Sequence, residues 1–186
     1  MVVHAIHLGV GAGAATFKAV AFASLARRAG LDVHVTMTQA ACAFVAPLSF
    51  TAVTNGPVVT DTTAVDAHGV GAHLAPAHTA ALVLLPATAD LIAHVAHGFG
   101  SDAVSLAAIS APKLRFFCPA MNDRMWDNPI VQDNVARLHT FGWRQIGPEV
   151  GRLAEGYEAA GRLTEPDEVL RIVMAALDES SDGGDR

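Results

Sequence analysis

The chain alternates short, mainly apolar runs with stretches of helical period. The runs at 2–8, 32–37, 81–85 and 114–118 have the length of buried strands. Residues 14–28 place Phe17, Val20, Ala21 and Leu25 at helical spacing and stop at Gly30, where a left-handed cap ends a helix. Residues 130–141 repeat that period after the run at 114–118, a helical stretch leads through Ile109 to that run, and 144–146 predict a last short strand. A final helix opens on Glu165-Pro-Asp-Glu, with proline and acids in its first turn, and runs to about residue 179. Thr38 caps a short helix over 38–45. Residues 46–70, rich in Pro, Thr and Gly, predict a loop with at most one short strand, and 151–166, polar and Gly-studded, a flexible loop. Residues 180–186 predict a disordered tail.

At 186 residues the chain suits one domain with a substantial core. Only 16% of residues are charged and 52% are hydrophobic; so few surface charges suggest that part of the surface is covered in an oligomer. A net charge of −6 without a basic cluster argues against nucleic acid as the main partner. No apolar run reaches membrane-spanning length and residues 1–8 lack the basic region of a signal peptide, so a soluble cytoplasmic protein is expected. Two cysteines, Cys42 and Cys118, form neither a disulfide framework nor a metal cluster.

Two loops at the carboxyl ends of predicted strands carry the candidate chemistry, because open α/β sheets bind ligands there. Gly9-Val-Gly-Ala-Gly13 between strand and helix is the arrangement that offers backbone N–H groups to a phosphate. It is too tight for the dinucleotide fingerprint, so a mononucleotide phosphate fits better; ordinary turn glycines are the plain alternative. The second loop, 119–129, holds Met121, Asn122, Met125 and Trp126 between prolines. It reads either as an apolar pocket with one neutral amide or as a loop packed down by Met and Trp.

Pro119-Ala-Met-Asn-Asp-Arg-Met-Trp126 resembles the PxMNxxMW motif of the flavin-containing cysteine decarboxylases, which include phosphopantothenoylcysteine decarboxylase and the peptidyl-cysteine decarboxylases of lantibiotic and related peptide biosynthesis. The resemblance covers the chain nearly end to end. It implies a single-domain α/β fold over residues 1–179, Rossmann-like (flavodoxin-like), with a parallel sheet and helices on both faces. It implies FMN as cofactor, with FAD less favoured, bound at a subunit interface of a homotrimer or a dodecamer of four trimers. Gly11 and Gly13 correspond to the phosphate loop, with Gly13 where the family has Ser and Thr16 as the nearest other hydroxyl. Thr38 corresponds to a residue beside the flavin phosphate or ribityl chain. Pro86-Ala-Thr88-Ala89-Asp90 matches the P-x-S-A-N flavin turn, with Asp90 in place of Asn and His94 in place of Lys. Ser101 replaces a family Asp. Met121 is carried over as a flavin contact. His73 corresponds to the catalytic histidine of the HIxL motif, one residue closer to Pro86 than usual, with His68 and His78 in reserve.

A clamp loop at about 148–163 corresponds to L-A-C-G-D-x-G-x-G-R-M-x-E-P, giving Leu153, Glu155, Gly156 and Arg162 as substrate contacts beside Asn122, Met125 and Trp126. Glu155 stands where phosphopantothenoylcysteine decarboxylases carry the Cys that returns reducing equivalents, and Tyr157 replaces an Asp. A carboxylate cannot perform the thiol's step, so the resemblance favours oxidative decarboxylation of the C-terminal cysteine of a precursor peptide to an enethiol, alongside other peptide-modifying enzymes. In that scheme His73 assists loss of the thiol proton while the flavin accepts hydride, and Asn122 holds the carboxylate with neutral donors. The alternatives are phosphopantothenoylcysteine decarboxylation in coenzyme A biosynthesis and a non-catalytic flavin-binding regulatory subunit resembling halotolerance proteins. Flavin prenyltransferases share the fold but not the Pro119–Trp126 motif.

Overall fold

The computed structural model describes residues 4–65 and 69–182; His68, one reserve histidine, lies outside them. Six parallel strands form the main sheet: β1 (Ala5–Val10), β2 (Asp32–Met37), β3 (Val58–Val59), β4 (Ala81–Ala87), β5 (Leu114–Pro119) and β6 (Arg144–Gln145), in the order β3-β2-β1-β4-β5-β6. The order reverses between β1 and β4, which opens a crevice at their carboxyl ends.

Alternate side chains of the central strands enter two cores. Ile6, Leu8, Val10, Val33, Val35, Val83, Leu85 and Phe116 pack with α1 (Thr16–Arg28), α2 (Pro47–Thr54) and α7 (Pro166–Asp182). Leu82, Leu84 and Phe117 face the other way, against α3 (Ala89–His97), α4 (Ala103–Ile109) and α6 (Pro129–Thr140). Strands covered on both faces need no regular polar phase, hence the mainly apolar runs, unbroken in β4 and interrupted only by His7 in β1 and Arg115 in β5.

Four expectations are corrected. The first strand begins at Ala5 and runs through Gly9 to Val10. Gly9 does not break it but lets α4 approach: a Cβ there would lie 2.7 Å from Leu84 and 2.8 Å from Val104. The stretch 46–70 contains α2, entered by Pro47 at its first position, anchored by fully buried Phe50 and ended by left-handed Asn55. The stretch 151–166 is not flexible loop: β7 (Glu149–Arg152) and β8 (Glu158–Arg162) make an antiparallel hairpin. The final helix continues to Asp182, so 180–182 are helical.

Two short elements complete the frame. Thr38 Oγ1 accepts from the Ala41 amide at 3.1 Å above a 3₁₀ turn over Ala41–Ala43, and α5 (Asp123–Trp126) is a single helical turn inside the 119–129 loop. Among the described residues no helix is long and apolar enough to cross a membrane, and no group of His, Cys, Asp and Glu is placed to hold a metal ion.

Candidate active site

The glycine turn meets the Pro86 turn at the switch point. The Gly11 amide donates to the Pro86 carbonyl at 3.2 Å, and a Cβ on Gly11 would overlap that oxygen. Thr16, fully buried, donates its hydroxyl to the Gly11 carbonyl at 3.0 Å and accepts from the Gly13 amide at 3.0 Å. Its hydroxyl therefore shapes the turn and is not available as a substitute phosphate contact.

The amides of Ala14 and Ala15, just ahead of α1, make no hydrogen bond within the described chain, and neither do those of Ala89 and Asp90 at the start of α3. Thr88 caps α3, accepting from Leu91 at 3.3 Å. Gly13 and Thr88 bring the two helix starts together: a Cβ on Gly13 would lie 3.6 Å from the Thr88 methyl. Two helix N-termini with free amides around a turn that admits no Cβ at Gly11 fit the phosphate of a mononucleotide. Asp90 is the one local feature that opposes an anion. His94 Nε2 lies 3.7 Å from its carboxylate, while His94 Nδ1 lies 3.4 Å from Asp102, and Ser101 Oγ is 3.5 Å from His94 Nδ1.

At the end of β5, Asn122 caps α5: its side-chain oxygen accepts from the Arg124 amide at 2.9 Å. Its Nδ2 donates to the Tyr157 hydroxyl at 3.0 Å, and that hydroxyl donates to Asp123 at 2.5 Å. The bond to Asp123, foremost among the causes, raises the Tyr157 pKa. Met121 and Trp126 pack against the second core, while Met125 is 47% exposed. The hairpin is joined to this loop at its base as well, where the Met121 amide donates to Gly161 at 3.1 Å.

The predicted clamp residues separate into three roles. Leu153 is buried at the hairpin turn, its amide donating to the Tyr157 carbonyl at 2.8 Å. Glu155 and Gly156 occupy the exposed tip, with Gly156 left-handed at φ +94°. Arg162 is paired with Glu149 and, at 3.4 Å, with Glu165, which also binds Lys18 at 2.8 Å. That network ties the hairpin base to α1 and α7, a link that no motif in the sequence signals.

His73 stands apart. It lies in the 3₁₀ segment Ala72–His78, and its carbonyl accepts from Ser110 at the end of α4, just before β5 begins. Asn122 lies beyond the other end of β5, so a single chain does not bring the two together. The His73 ring folds over Gly71, and its buried Nδ1 has no partner. His78, the other reserve, shares a pocket of about 460 Å³ with His7 and His34 beside β2 and β3. Neither thiol lies on the hairpin: Cys42 sits in the turn after Thr38 and Cys118 is fully buried in β5, and burial raises both pKa values.

Fold and crevice define a doubly wound α/β protein with a mononucleotide-type phosphate cradle at its switch point. The chain belongs to the Flavoprotein family, whose model matches residues 2–178. It is 37% identical over 175 residues to a probable phosphopantothenoylcysteine decarboxylase of Streptococcus mutans, covering 92% of this chain and 98% of that protein. It is 38% identical over 166 residues to the coenzyme A biosynthesis bifunctional protein CoaBC of Bacillus subtilis, covering 89% of this chain but only 41% of that protein. Among solved structures, the FMN-dependent cysteine decarboxylase SpaF superposes with a TM-score of 0.78 at 30% identity, covering 94% of this chain and 97% of the other.

Proposed function

We propose that the protein is an FMN-dependent decarboxylase of a cysteine carboxyl group, with phosphopantothenoylcysteine as its substrate. The observation that carries the reaction type is Asn122, a neutral amide fixed at both ends beneath the hairpin at the carboxyl edge of the sheet. The substrate is supported by the Streptococcus relative, matched over nearly its full length, and by CoaBC, of which this chain spans less than half. These relatives favour the coenzyme A substrate over the precursor peptide that the hairpin sequence suggests. FMN rather than FAD is supported by SpaF.

When bound, FMN supplies the two-electron oxidation that turns the cysteine C–S bond into C=S. The chain's residues do the rest. His73 takes the thiol proton. Asn122 orients the carboxylate through its free amide N–H. A cation there would stabilise the charged ground state more than the transition state in which the charge departs. The Cα–carboxyl bond breaks to release CO2, and its electron pair forms the Cα=Cβ bond of an enethiolate. Because His73 and Asn122 sit at opposite ends of β5, one site takes them from two copies of the chain, in a homotrimer or a dodecamer of four trimers.

A second reading, a peptide ending in cysteine, is favoured by one observation. Glu155 sits at the hairpin tip and neither thiol is on the hairpin, so two hydrogens are not returned to the product and an enethiol leaves. Mass spectrometry of the flavin-loaded protein with phosphopantothenoylcysteine, and separately with short peptides ending in Cys, tests both. Loss of about 46 Da, CO2 plus two hydrogens, is expected from phosphopantothenoylcysteine. Conversion of the peptides alone moves the function to the second reading, and an unchanged mass in both substrates removes the decarboxylase proposal.

A further inference from the structure

The hydroxyl of Tyr157 touches the one side chain on which the proposed carboxylate site depends. Tyr157 is the chain's only tyrosine and sits where the hairpin turn passes into β8. Its ring crosses from the hairpin to α5, and its oxygen accepts from Asn122 Nδ2 at 3.0 Å while its proton goes to Asp123 at 2.5 Å. Asn122 Oδ1 is meanwhile held by the Arg124 amide. The planar amide turns as a unit about Cβ–Cγ, and a bond at each end narrows that rotation to one orientation, with one N–H committed to Tyr157 and the other free.

The second bond of the hydroxyl matters as much. Asp123 adjoins Asn122 in sequence, and a bare carboxylate beside a carboxylate-binding amide both repels the ligand and competes for the donor. By donating to Asp123, Tyr157 engages that oxygen and keeps it off the amide.

We propose that Tyr157 is a positioning residue for the cysteine carboxylate: its hydroxyl sets the orientation of the Asn122 amide and holds the Asp123 carboxylate away from it. This rests on the reading that Asn122 binds the carboxylate. It assigns the hairpin a specificity role beyond covering the site, since Tyr157 favours ligands with a free carboxyl end.

The test is a double-mutant cycle on ligand affinity, using the full-length, flavin-loaded protein. The probe is phosphopantothenoylserine, which cannot be oxidised at sulfur, offered as the free carboxylate and as the carboxamide. Tyr157→Phe keeps the ring and removes only the hydroxyl. Asn122→Ser keeps an oxygen to cap α5 and removes the amino group. Tyr157→Phe is expected to weaken carboxylate binding about 3- to 10-fold, the range for one lost hydrogen bond. It should leave the carboxamide within twofold and cost nothing further in the Asn122→Ser background. Equal losses for carboxylate and carboxamide, or the same loss with and without Asn122, would show that Tyr157 only closes the hairpin, and would overturn the proposal. Unchanged carboxylate affinity in Asn122→Ser would instead sink the Asn122 reading itself. If the wild type does not bind the phosphopantothenoyl probe, the same cycle is run with a peptide ending in serine, and absence of binding to both overturns both readings.

Discussion

Gly161 and Met121 meet backbone to backbone. The Met121 amide donates to the Gly161 carbonyl at 3.1 Å, Gly161 has φ +136°, and a Cβ on it would overlap the Met121 carbonyl. No other residue satisfies both the dihedral and the approach. Gly161→Ala is therefore expected to lift the hairpin from the 119–126 loop and cost about 1–3 kcal/mol of stability. Urea titration reads the cost, and hydrogen exchange should show faster exchange in the β8 amides while β4 and β5 stay protected. An unchanged exchange pattern would mean that the hairpin is held elsewhere.

Gly11→Ala acts on the other half of the crevice. Its Cβ would overlap the Pro86 carbonyl, which must move and drag with it the start of α3. The expected result is a folded protein that loses flavin on purification, read as a fall in the visible absorbance per chain. Gly13→Ala, whose Cβ would meet only the Thr88 methyl at 3.6 Å, is expected to retain more flavin than Gly11→Ala.

The periodic parts of the chain were legible without coordinates. β2 was bounded correctly, and β4, β5, α1, α6 and α7 to within a few residues, because buried parallel strands and amphipathic helices write their environment into composition. What failed had opposing local signals. Thr51, Val53 and Thr54 are weak helix formers and Pro47 reads as a loop signal, yet burial of Phe50 makes that stretch helical. The β7–β8 hairpin hides behind three glycines, and its docking depends on contacts with Met121, Asn122 and Asp123 more than 30 residues away. In the candidate site, glycine turns and caps were visible by motif. The partners of Tyr157 and Arg162 were not, since hydrogen bonds between distant loops leave no period in a sequence.

His7 makes the fold sensitive to acid. It is fully buried on β1, bonded through Nε2 to Thr36 Oγ1 at 2.8 Å, and burial, with His34 adding to it, lowers its pKa from 6.5 to about 3. The native state thus keeps His7 neutral while the unfolded chain takes up a proton below pH 6.5. Stability is full above that value and falls as pH drops toward 3, by about 1.4 kcal/mol per pH unit from this group. Between pH 7 and 5 the urea midpoint should fall by the equivalent of about 2 kcal/mol, and His7→Gln should flatten that slope. A wild-type midpoint constant over this interval would contradict the assignment.

The separation of His73 and Asn122 predicts complementation between copies. His73→Asn and Asn122→Asp are each expected to give flavin-loaded protein without turnover. In oligomers assembled from an equal mixture of the two, about a quarter of sites should receive intact His73 from one copy and intact Asn122 from another, if copies mix at random. Recovered turnover near that fraction supports a site shared between copies. Zero recovery from verified mixed oligomers would place both residues in one chain's site, or replace His73 by another base.

Glu155 offers a gain of function. It lies at the exposed hairpin tip, three residues from the Glu158 start of β8, so Glu155→Cys should be tolerated within about 0.5 kcal/mol. The substitution places there the thiol that the resemblance assigns to phosphopantothenoylcysteine decarboxylases; it removes a charge that helps to raise the Tyr157 pKa but leaves the bonds of Tyr157 to Asn122 and Asp123 in place. If the missing thiol is what leaves the product oxidised, phosphopantothenoylcysteine should lose about 44 Da with the variant instead of about 46 Da with the wild type. Ser at the same position should keep the wild-type mass loss, which separates the thiol from removal of the carboxylate. A wild-type product already lighter by CO2 alone would show that the hydrogens return by a route that Glu155 does not block, and the peptide reading would lose the observation that favours it.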